Sequence, residues 1–340
     1  MRTRLVYHLR PLTLGQWAAK LRRPEVSVSM TILVSGSLAL DHIMVFPDRF
    51  KDHILPDKLH MLNVSFNIES LETHFGGVAG NIAYHLNQLG GDPLILATVG
   101  SDFGPYADWL DRHGICRDAI RVLDDVRTAQ AFVTTDLDDN QIWAFYEGAM
   151  ARAHEAKLAD IAGDFVLGIV SADGKPAMLD HARELKSRGV PTFIDPSHGL
   201  PMLDRDELIE MIDGCAAYVV NDYEWSLTLE RTGLSESELA GRCESIIITK
   251  GEQGAEIREA GRVIDIPPVV AEKVVDPTAC GDAFRAGVLF GRSEGHDWDV
   301  AGRIGSLMGS LQVAVAGAQN LQVELKTFRA RYEREFGTAF

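Results

Sequence analysis

A short run near the C-terminus, residues 275–287, combines an aspartate with a sequence suited to binding an anion. The small residues Ala279, Cys280 and Gly281 allow successive backbone N–H groups to turn inward. The apolar pattern that follows predicts a helix, whose N-terminus would face the same anion. Asp282 lies at this junction, where it could accept a proton from a hydroxyl, so the run predicts phosphoryl transfer. The alternative is an ordinary loop with a helix-capping aspartate.

A second candidate site is the pair Asn221 and Glu224. On a helix that follows a strand, positions three apart share one face. Their oxygens could hold Mg²⁺, mostly through water, because this ion gives up its hydration shell reluctantly. The same spacing is also typical of a capping box at a helix start, and the two interpretations are compatible.

Two further groups could bind a polyol. In the glycine-rich run 76–81, Gly76 and Gly77 would let the backbone approach a sugar, and Asn81 offers both a donor and an acceptor. Asp41 follows the first predicted strand, where its carboxylate could accept hydrogen bonds from two neighbouring hydroxyls. The alternatives are a glycine-rich helix start and a turn-forming aspartate.

A nucleotide could bind at the turn after the predicted strand 245–249. The Thr249 hydroxyl, Lys250 and the backbone around Gly251 and Gly254 could contact ATP, although the same pattern is compatible with a plain hairpin turn. The chain lacks a GxxxxGK[ST] sequence and a protein-kinase HRD/DFG set, which excludes those two phosphotransfer folds.

The elements that must position these residues alternate between strand and helix from residue 165 onward. This alternation predicts an α/β fold with a doubly wound, mainly parallel sheet and helices on both faces. Two strand-rich segments, about 41–75 and 128–147, interrupt the N-terminal half. Within the first, the alternating stretch 60–68 predicts an exposed strand, and the second predicts a hairpin with an acidic turn.

Composition narrows the class of protein. The 340 residues carry a formal net charge of −16, which argues against a nucleic-acid partner, and no apolar run approaches the roughly 18 residues of a membrane span. The four cysteines are dispersed, as expected for free thiols in the cytoplasm. Residues 1–29 contain six Lys or Arg and one acid. We expect a disordered extension there, or upstream sequence read from an early start codon, with a targeting peptide as the alternative. The kinase domain is expected over 30–340.

The four motifs resemble, in the same order, those of the ribokinase-type (PfkB) carbohydrate kinases. This resemblance implies a small β-sheet lid formed by the two strand-rich segments, ATP and Mg²⁺ as cofactors, and Asp282 as the base. The family's signature Asp-Thr-x-Gly-Ala-Gly-Asp is altered here, since Pro277 is inserted and Ala279-Cys280 replaces Gly-Ala. A β-carbon at position 279 disfavours positive φ, so the loop must avoid that region or carry strain.

Several stretches are most similar to one group in this family, the bacterial adenosine kinases: 36–42, 46–50, 76–81, 145–150, 221–225 and 291–293. The resemblance implies transfer of phosphate from ATP to the 5′-hydroxyl of adenosine in purine salvage. Phe145 would stack on the purine, and Ser37 and Ser65 would approach the ribose.

Two departures leave the acceptor open. Ala131 stands where a second stacking aromatic is expected, next to Phe132, and His198-Gly199 stands where amide side chains are expected. The alternatives are a broader nucleoside kinase, a ribokinase-like sugar kinase, and a non-catalytic nucleoside-binding protein. Strand-rich lids with exposed edges often pair across a two-fold axis, so a homodimer through the lid is a further expectation.

Overall fold

The computed structural model describes residues 30–54, 56–61 and 63–340. The extension predicted for residues 1–29 lies outside them. The described strands, in chain order, are β1 (Thr31–Ser35), β2 (Ala39–Val45), β3 (Ser70–Gly76), β4 (Asp92–Gly100), β5 (Ile120–Leu123), β6 (Ala129–Thr135), β7 (Gln141–Tyr146), β8 (Leu167–Ser171), β9 (Thr192–Asp195), β10 (Ala217–Asn221), β11 (Ser245–Thr249), β12 (Ala255–Glu259) and β13 (Arg262–Ile266).

The α-helices of the same residues cover both faces of the larger sheet. They are α1 (Phe50–His53), α2 (Val78–Gln88), α3 (Gly104–Arg112), α4 (Lys175–Ser187), α5 (Arg205–Ile212), α6 (Asp222–Thr232), α7 (Glu236–Ala240), α8 (Cys280–Ser293), α9 (Trp298–Gln312) and α10 (Leu325–Phe336). Short 3₁₀ helices lie at Pro56–Met61, Gly148–Glu155, Leu158–Asp160, Ser197–Met202 and Gly251–Gln253.

The larger sheet has nine strands in the order β13-β12-β11-β10-β9-β8-β1-β4-β5. From β11 to β5 in this order, neighbouring strands are parallel. Strands β12 and β13 are added at the β11 edge in antiparallel pairings. Successive residues of a strand face opposite sides. In β1, Ile32 and Val34 accordingly join the core beneath α2, α8 and α9, while Leu33 joins the core beneath α4, α5 and α6. The predicted doubly wound architecture is confirmed.

The smaller sheet, here called the lid, has the order β3-β2-β6-β7. It contains the hairpin β6–β7, whose acidic turn residue Asp136 accepts hydrogen bonds from the backbone amides of Phe50, Asp138 and Asn140 and from the Asn140 side-chain amide. Because β2 follows β1 directly and β3 leads into α2, the lid is attached at the edge of the large sheet where β1 ends.

The prediction of an exposed strand over residues 60–68 is wrong, because the described residues of this segment form no strand. The chain forms a 3₁₀ helix up to Met61 and an irregular segment over 63–68, and β3 begins only at Ser70. Phe66 packs against Phe46 and Phe50, with ring centroids 4.8 and 5.0 Å apart. The apolar alternation therefore reflects the anchoring of a loop by an aromatic side chain rather than pairing in a sheet.

Candidate active site

The carboxyl ends of the central parallel strands meet at one edge of the large sheet, which is the usual ligand-binding edge in such folds. Strands β9, β10 and β11 end at Asp195, Asn221 and Thr249, respectively. The N-termini of α2 and α8 reach the same region, since Asn81 of α2 and Asp282 of α8 are hydrogen bonded to each other. The chemistry-bearing motifs of the sequence therefore converge here.

Helix α8 begins with a strained residue. Ala279, its N-cap, has φ 60° and ψ 11°, in the left-handed region. The sequence predicted that residue 279 either avoids positive φ or is strained. The structure has the strained conformation, which costs about 1 kcal/mol. The first α-helical hydrogen bond is donated by Ala283 N to Ala279 O, so the Gly281 and Asp282 amides lie in the open first turn. The sequence predicted an anion-binding nest at Ala279, Cys280 and Gly281; the Gly281 amide belongs to this open turn, whereas Cys280 N donates to Pro277 O over 3.3 Å.

Asp282 lies against Asn81, whose Nδ2 donates to Asp282 Oδ2 over 2.8 Å. Burial raises the pKa of Asp282 to about 6; the positive charge of Arg285 and the Asn81 hydrogen bond act against the increase, and the charges of Asp195 and Asp41 add to it. A carboxylate with this pKa is ionised at neutral pH and is more basic than a free aspartate, as a general base requires.

Sequence reasoning missed the ion pair beneath Asp282. Arg285 Nε lies 2.6 Å from Asp195 Oδ2, and the two side chains are 7% and 0% exposed. Ser171 also donates to Asp195, over 3.1 Å. A β-carbon on Gly281 would lie 2.7 Å from Arg285 Nη1, so the guanidinium fills the space under the first turn of α8. The signal was an arginine within the apolar run 283–290, where a buried charge needs a partner.

Asp41 and the glycine-rich run are packed together. A β-carbon on Gly76 would lie 2.2 Å from Asp41 Oδ2, and Gly77 has φ 86°, which few other residues adopt. Burial raises the pKa of Asp41 to about 6, although the nearby His74 and His42 lower it. Asp41 also lies close enough to Asp282 to raise its pKa.

The strand register places Asp41, Ala131 and Phe145 side by side across the lid. Asp41 pairs with Ala131, and Ala131 pairs with Phe145, so the three side chains share one face. Phe145 is 53% exposed and Ala131 is buried. Phe132 lies on the opposite face and stacks on His42 at 4.7 Å, so it does not replace the aromatic residue expected at position 131.

Asn221 and Glu224 form a capping box at the start of α6. Asn221 Oδ1 accepts from Glu224 N over 2.7 Å, and Glu224 Oε2 accepts from Asn221 N over 2.9 Å. Burial raises the pKa of Glu224; the hydrogen bond from Asn221 N acts against the increase, and the charge of Asp195 adds to it. A cation near Glu224 Oε1 would stabilise the ionised carboxylate that burial disfavours, so Asn221 and Glu224 are chemically suited to Mg²⁺. No three His, Cys, Asp or Glu side chains of the described residues form a metal cluster.

The predicted nucleotide turn joins β11 to β12 and is also a hairpin, because these strands are antiparallel. Thr249 Oγ1 lies 3.5 Å from Val220 O, and Lys250 Nζ forms an ion pair with Glu256 at 2.7 Å. Gly251 and Gly254 have positive φ, and a β-carbon at Gly254 would lie 2.2 Å from Ile266 O. Both interpretations of this segment thus remain compatible with its geometry.

The remaining predicted residues are placed as follows. Ser37 is buried, and its Oγ accepts from Val78 N at the start of α2 over 3.3 Å. Ser65 is exposed in the irregular segment before β3. His198 lies beside Asp195, and its burial lowers its pKa. Cys280 lies in the first turn of α8, where burial raises the pKa of its thiol to about 11.

A comparison with protein families identifies the chain. Residues 37–325 match the model of the "pfkB family carbohydrate kinase", a span that includes each motif discussed above. The chain belongs to this family. The prediction made from the four motifs is therefore confirmed at the level of the family.

Individual PfkB relatives agree with this assignment. A nucleoside kinase of Methanocaldococcus jannaschii is 30% identical over 287 residues, covering 84% of this chain and 90% of that protein. A Burkholderia thailandensis nucleoside kinase, solved with inosine, is 45% identical with a TM-score of 0.82, covering 91% of this chain and all of that one. The same enzyme was solved with ADP-inosine, at 47% identity and a TM-score of 0.79, covering 91% of this chain and 97% of that one.

A PfkB fold is also shared with more distant kinases. Ribokinase from Thermotoga maritima is 19% identical, with a TM-score of 0.74 over 89% of this chain and 99% of that one. None of the helices in the described part of the chain has the length and hydropathy of a bilayer-spanning segment.

Proposed function

We propose that this PfkB enzyme transfers the terminal phosphoryl group of ATP to the 5′-hydroxyl of a purine nucleoside. The observation that carries the proposal is the row Asp41–Ala131–Phe145 on one lid face, with Asp282 close to its Asp41 end. A carboxylate suits two ribose hydroxyls, and an exposed aromatic ring suits a flat base. The small side chain of Ala131 leaves room between them.

Each group has a defined part in the reaction. Asp282 accepts the proton of the attacking hydroxyl through the carboxylate oxygen that Asn81 does not occupy. The Gly281 and Asp282 amides at the N-terminus of α8 stabilise negative charge on the transferring phosphoryl group. Arg285 keeps Asp282 ionised by its positive charge. Mg²⁺, held through Glu224 and Asn221, would neutralise phosphate charge, and the turn 249–254 would contact ATP.

Adenosine is the acceptor expected from the sequence, and inosine is the nucleoside bound by the Burkholderia relative. We propose that both are accepted, because stacking on Phe145 does not distinguish purines by their 6-substituent. The resulting nucleoside monophosphates would serve purine salvage. All four cysteines are free thiols, which supports a cytoplasmic location.

A panel of acceptors tests the proposed function. Adenosine, inosine, guanosine, cytidine, ribose and fructose 6-phosphate are assayed with ATP and Mg²⁺ by coupled ADP release. We expect kcat/KM for purine nucleosides to exceed that for ribose by about tenfold or more, the contribution of one aromatic stack. An equal or higher value for ribose would indicate a sugar kinase, and nucleoside binding without turnover would indicate a non-catalytic protein.

We also propose a homodimer through the lid. The lid face that carries Phe145 also exposes Ile43, Val45 and Trp143. Strands β3 and β7 form the two edges of the lid sheet. Exposed apolar side chains and unpaired strand edges are commonly covered by a second copy. Size-exclusion chromatography with light scattering should give twice the mass of one chain, and a purely monomeric protein would refute the dimer.

A further inference from the structure

A chain of side-chain hydrogen bonds leads from Asp282 into the protein interior. Asn81 Nδ2 donates to Asp282 Oδ2 over 2.8 Å, and Gln319 Nε2 donates to Asn81 Oδ1 over 3.0 Å. Trp109 Nε1 in turn donates to Gln319 Oε1 over 3.0 Å. The chain connects α8, α2, the loop between α9 and α10, and α3. Neither Gln319 nor Trp109 belongs to a motif singled out from the sequence.

The direction of every bond in this chain follows from its inner end. An indole nitrogen is only a donor, so Trp109 fixes which atom of the Gln319 amide is the oxygen. The nitrogen of that amide then faces Asn81 and requires its oxygen, and the Asn81 nitrogen is left for Asp282. Because the indole N–H of Trp109 can only donate, the Asn81 group that faces the Asp282 carboxylate is its NH₂ group and not its oxygen.

A side branch uses the other proton of the Gln319 amide. Gln319 Nε2 donates to Tyr106 Oη over 2.6 Å, and Tyr106 donates to Gly76 O over 2.9 Å. The Gln319 amide thus uses its oxygen to accept from Trp109 and its two N–H groups to donate to Asn81 and Tyr106. A β-carbon on Gly80 would lie 2.0 Å from Tyr106 Oη, so glycine at this helix position makes room for the network.

The inner end of the chain is held by aromatic packing. The Trp109 ring lies 5.5 Å from Phe75, 6.1 Å from Tyr84 and 4.2 Å from His113, measured between centroids. Gln319 itself is 3% exposed. Burying an amide without full pairing is unfavourable, so a second orientation of Gln319 would be costly.

We propose that Gln319, oriented by Trp109, is a positioning residue for the catalytic base. It holds Asn81 with its N–H toward Asp282, so that one carboxylate oxygen is hydrogen bonded and the other faces the acceptor hydroxyl. Gln319 touches no reacting atom. The inference rests on the assignment of Asp282 as the base in the proposed function.

The alternative is that Gln319 only joins a loop to two helices. Both roles predict lower stability when Gln319 is changed, but only positioning predicts a change in the ionisation of Asp282. The charged groups that act on Asp282 are Arg285 on its own helix, Asp195 from β9 and Asp41 from the lid. None of them is altered by substitutions at 319 or 109, but Gln319→Glu adds a carboxylate that can itself raise the pKa of Asp282, so the uncharged Trp109→Phe is the deciding variant.

The test compares Gln319→Glu and Trp109→Phe with the unaltered enzyme, using the best acceptor of the panel. Gln319→Glu keeps the shape and the acceptor for Trp109 but cannot donate to Asn81. Trp109→Phe keeps an aromatic ring and removes the orienting donor without adding charge. We expect the acidic limb of the kcat/KM profile to move to higher pH by about one unit for Gln319→Glu and by less for Trp109→Phe. KM for ATP should change little.

A matched control is Asn87→Asp. Asn87 Nδ2 donates to His113 O over 3.0 Å and so joins α2 to the end of α3, but it makes none of the hydrogen bonds in the chain to Asp282. It should lower the thermal midpoint and leave the acidic limb unchanged.

Two results would overturn the proposal: an unchanged acidic limb in Trp109→Phe, or equal limb shifts in Asn87→Asp and Trp109→Phe. If Gln319→Glu does not fold, Trp109→Phe decides alone. Failure of the base assignment is distinguished by Asp282→Asn, which would then retain activity whatever the effect at 319.

Discussion

Around Asp282, hydrogen bonds and an ion pair join α8 to α2 and β9, whereas on the lid Trp143 and Phe145 are 63% and 53% exposed. The two sides of the active site therefore differ in how firmly their groups are held. The side with Asp282, the proposed base, is preorganised, which favours transition-state stabilisation. Trp143 and Phe145 project from the surface of the lid, so substitutions of these exposed rings should change acceptor choice more than the chemical step.

The largest effect should come from Asp282→Asn. The amide keeps the shape of the side chain but cannot accept a proton at neutral pH, so kcat should fall by about 10²–10⁴-fold. Steady-state kinetics measure the loss, and calorimetric titration should show ATP binding largely intact. Near-normal turnover in this variant would exclude Asp282 as the base.

The buried ion pair Arg285–Asp195 should matter for stability as well as for the ionisation of Asp282. Arg285→Met leaves Asp195 buried without its partner, so the free energy of unfolding should decrease by about 3–5 kcal/mol. The double variant Asp195→Asn/Arg285→Met should recover part of this loss. Urea denaturation measures both, and a single variant as stable as the unaltered protein would contradict the structural role of the pair.

The pH dependence should combine both sides of the site. Asp282 and Asp41 each have a pKa of about 6, and each must be ionised, one to accept a proton and the other to accept ribose hydroxyls. Activity should therefore be lost as pH falls through 6, with a slope steeper than for a single proton. In Asp41→Asn the remaining activity should follow one proton only, and an unchanged slope would remove Asp41 from the profile.

On the lid, Phe145→Ala should raise KM for adenosine and inosine about tenfold, because the purine loses its stacking partner. Turnover of ribose should stay nearly constant, since ribose has no base. Ile142→Ala is the control, because Ile142 is also exposed on β7 but lies on the opposite face. Equal effects of the two substitutions would argue against stacking on Phe145.

The smallest effect concerns Ala279. Replacing it with glycine removes the strain of a left-handed alanine, so Ala279→Gly should stabilise the protein by up to about 1 kcal/mol. Differential scanning calorimetry would detect the corresponding rise in thermal midpoint. A lower midpoint would mean that the flexibility of glycine in the unfolded chain outweighs the strain.

Much of the fold was predictable because it is encoded locally. Strand β11 was predicted at its observed bounds, the hairpin β6–β7 lies within the segment 128–147 where a hairpin was predicted, and α6 begins at the predicted capping residues, since short apolar runs and capping residues mark these elements. The segment 60–68 was not, because an alternating pattern also arises when a loop anchors an aromatic side chain. Arg285 was visible as a charge in an apolar helix, but its partner Asp195 is 90 residues away in the chain.

The sequence by itself determined the chemical groups and the family, because each motif lies within a dozen residues and depends on helix starts, strand ends and glycine turns. Only the tertiary structure decided which groups meet. Asn81 and Asp282 are 201 residues apart, and Gln319 lies 238 residues from Asn81, yet they form one hydrogen-bonded chain. Such pairings depend on how whole helices and strands pack around the sheet, so they cannot be predicted from any local sequence pattern.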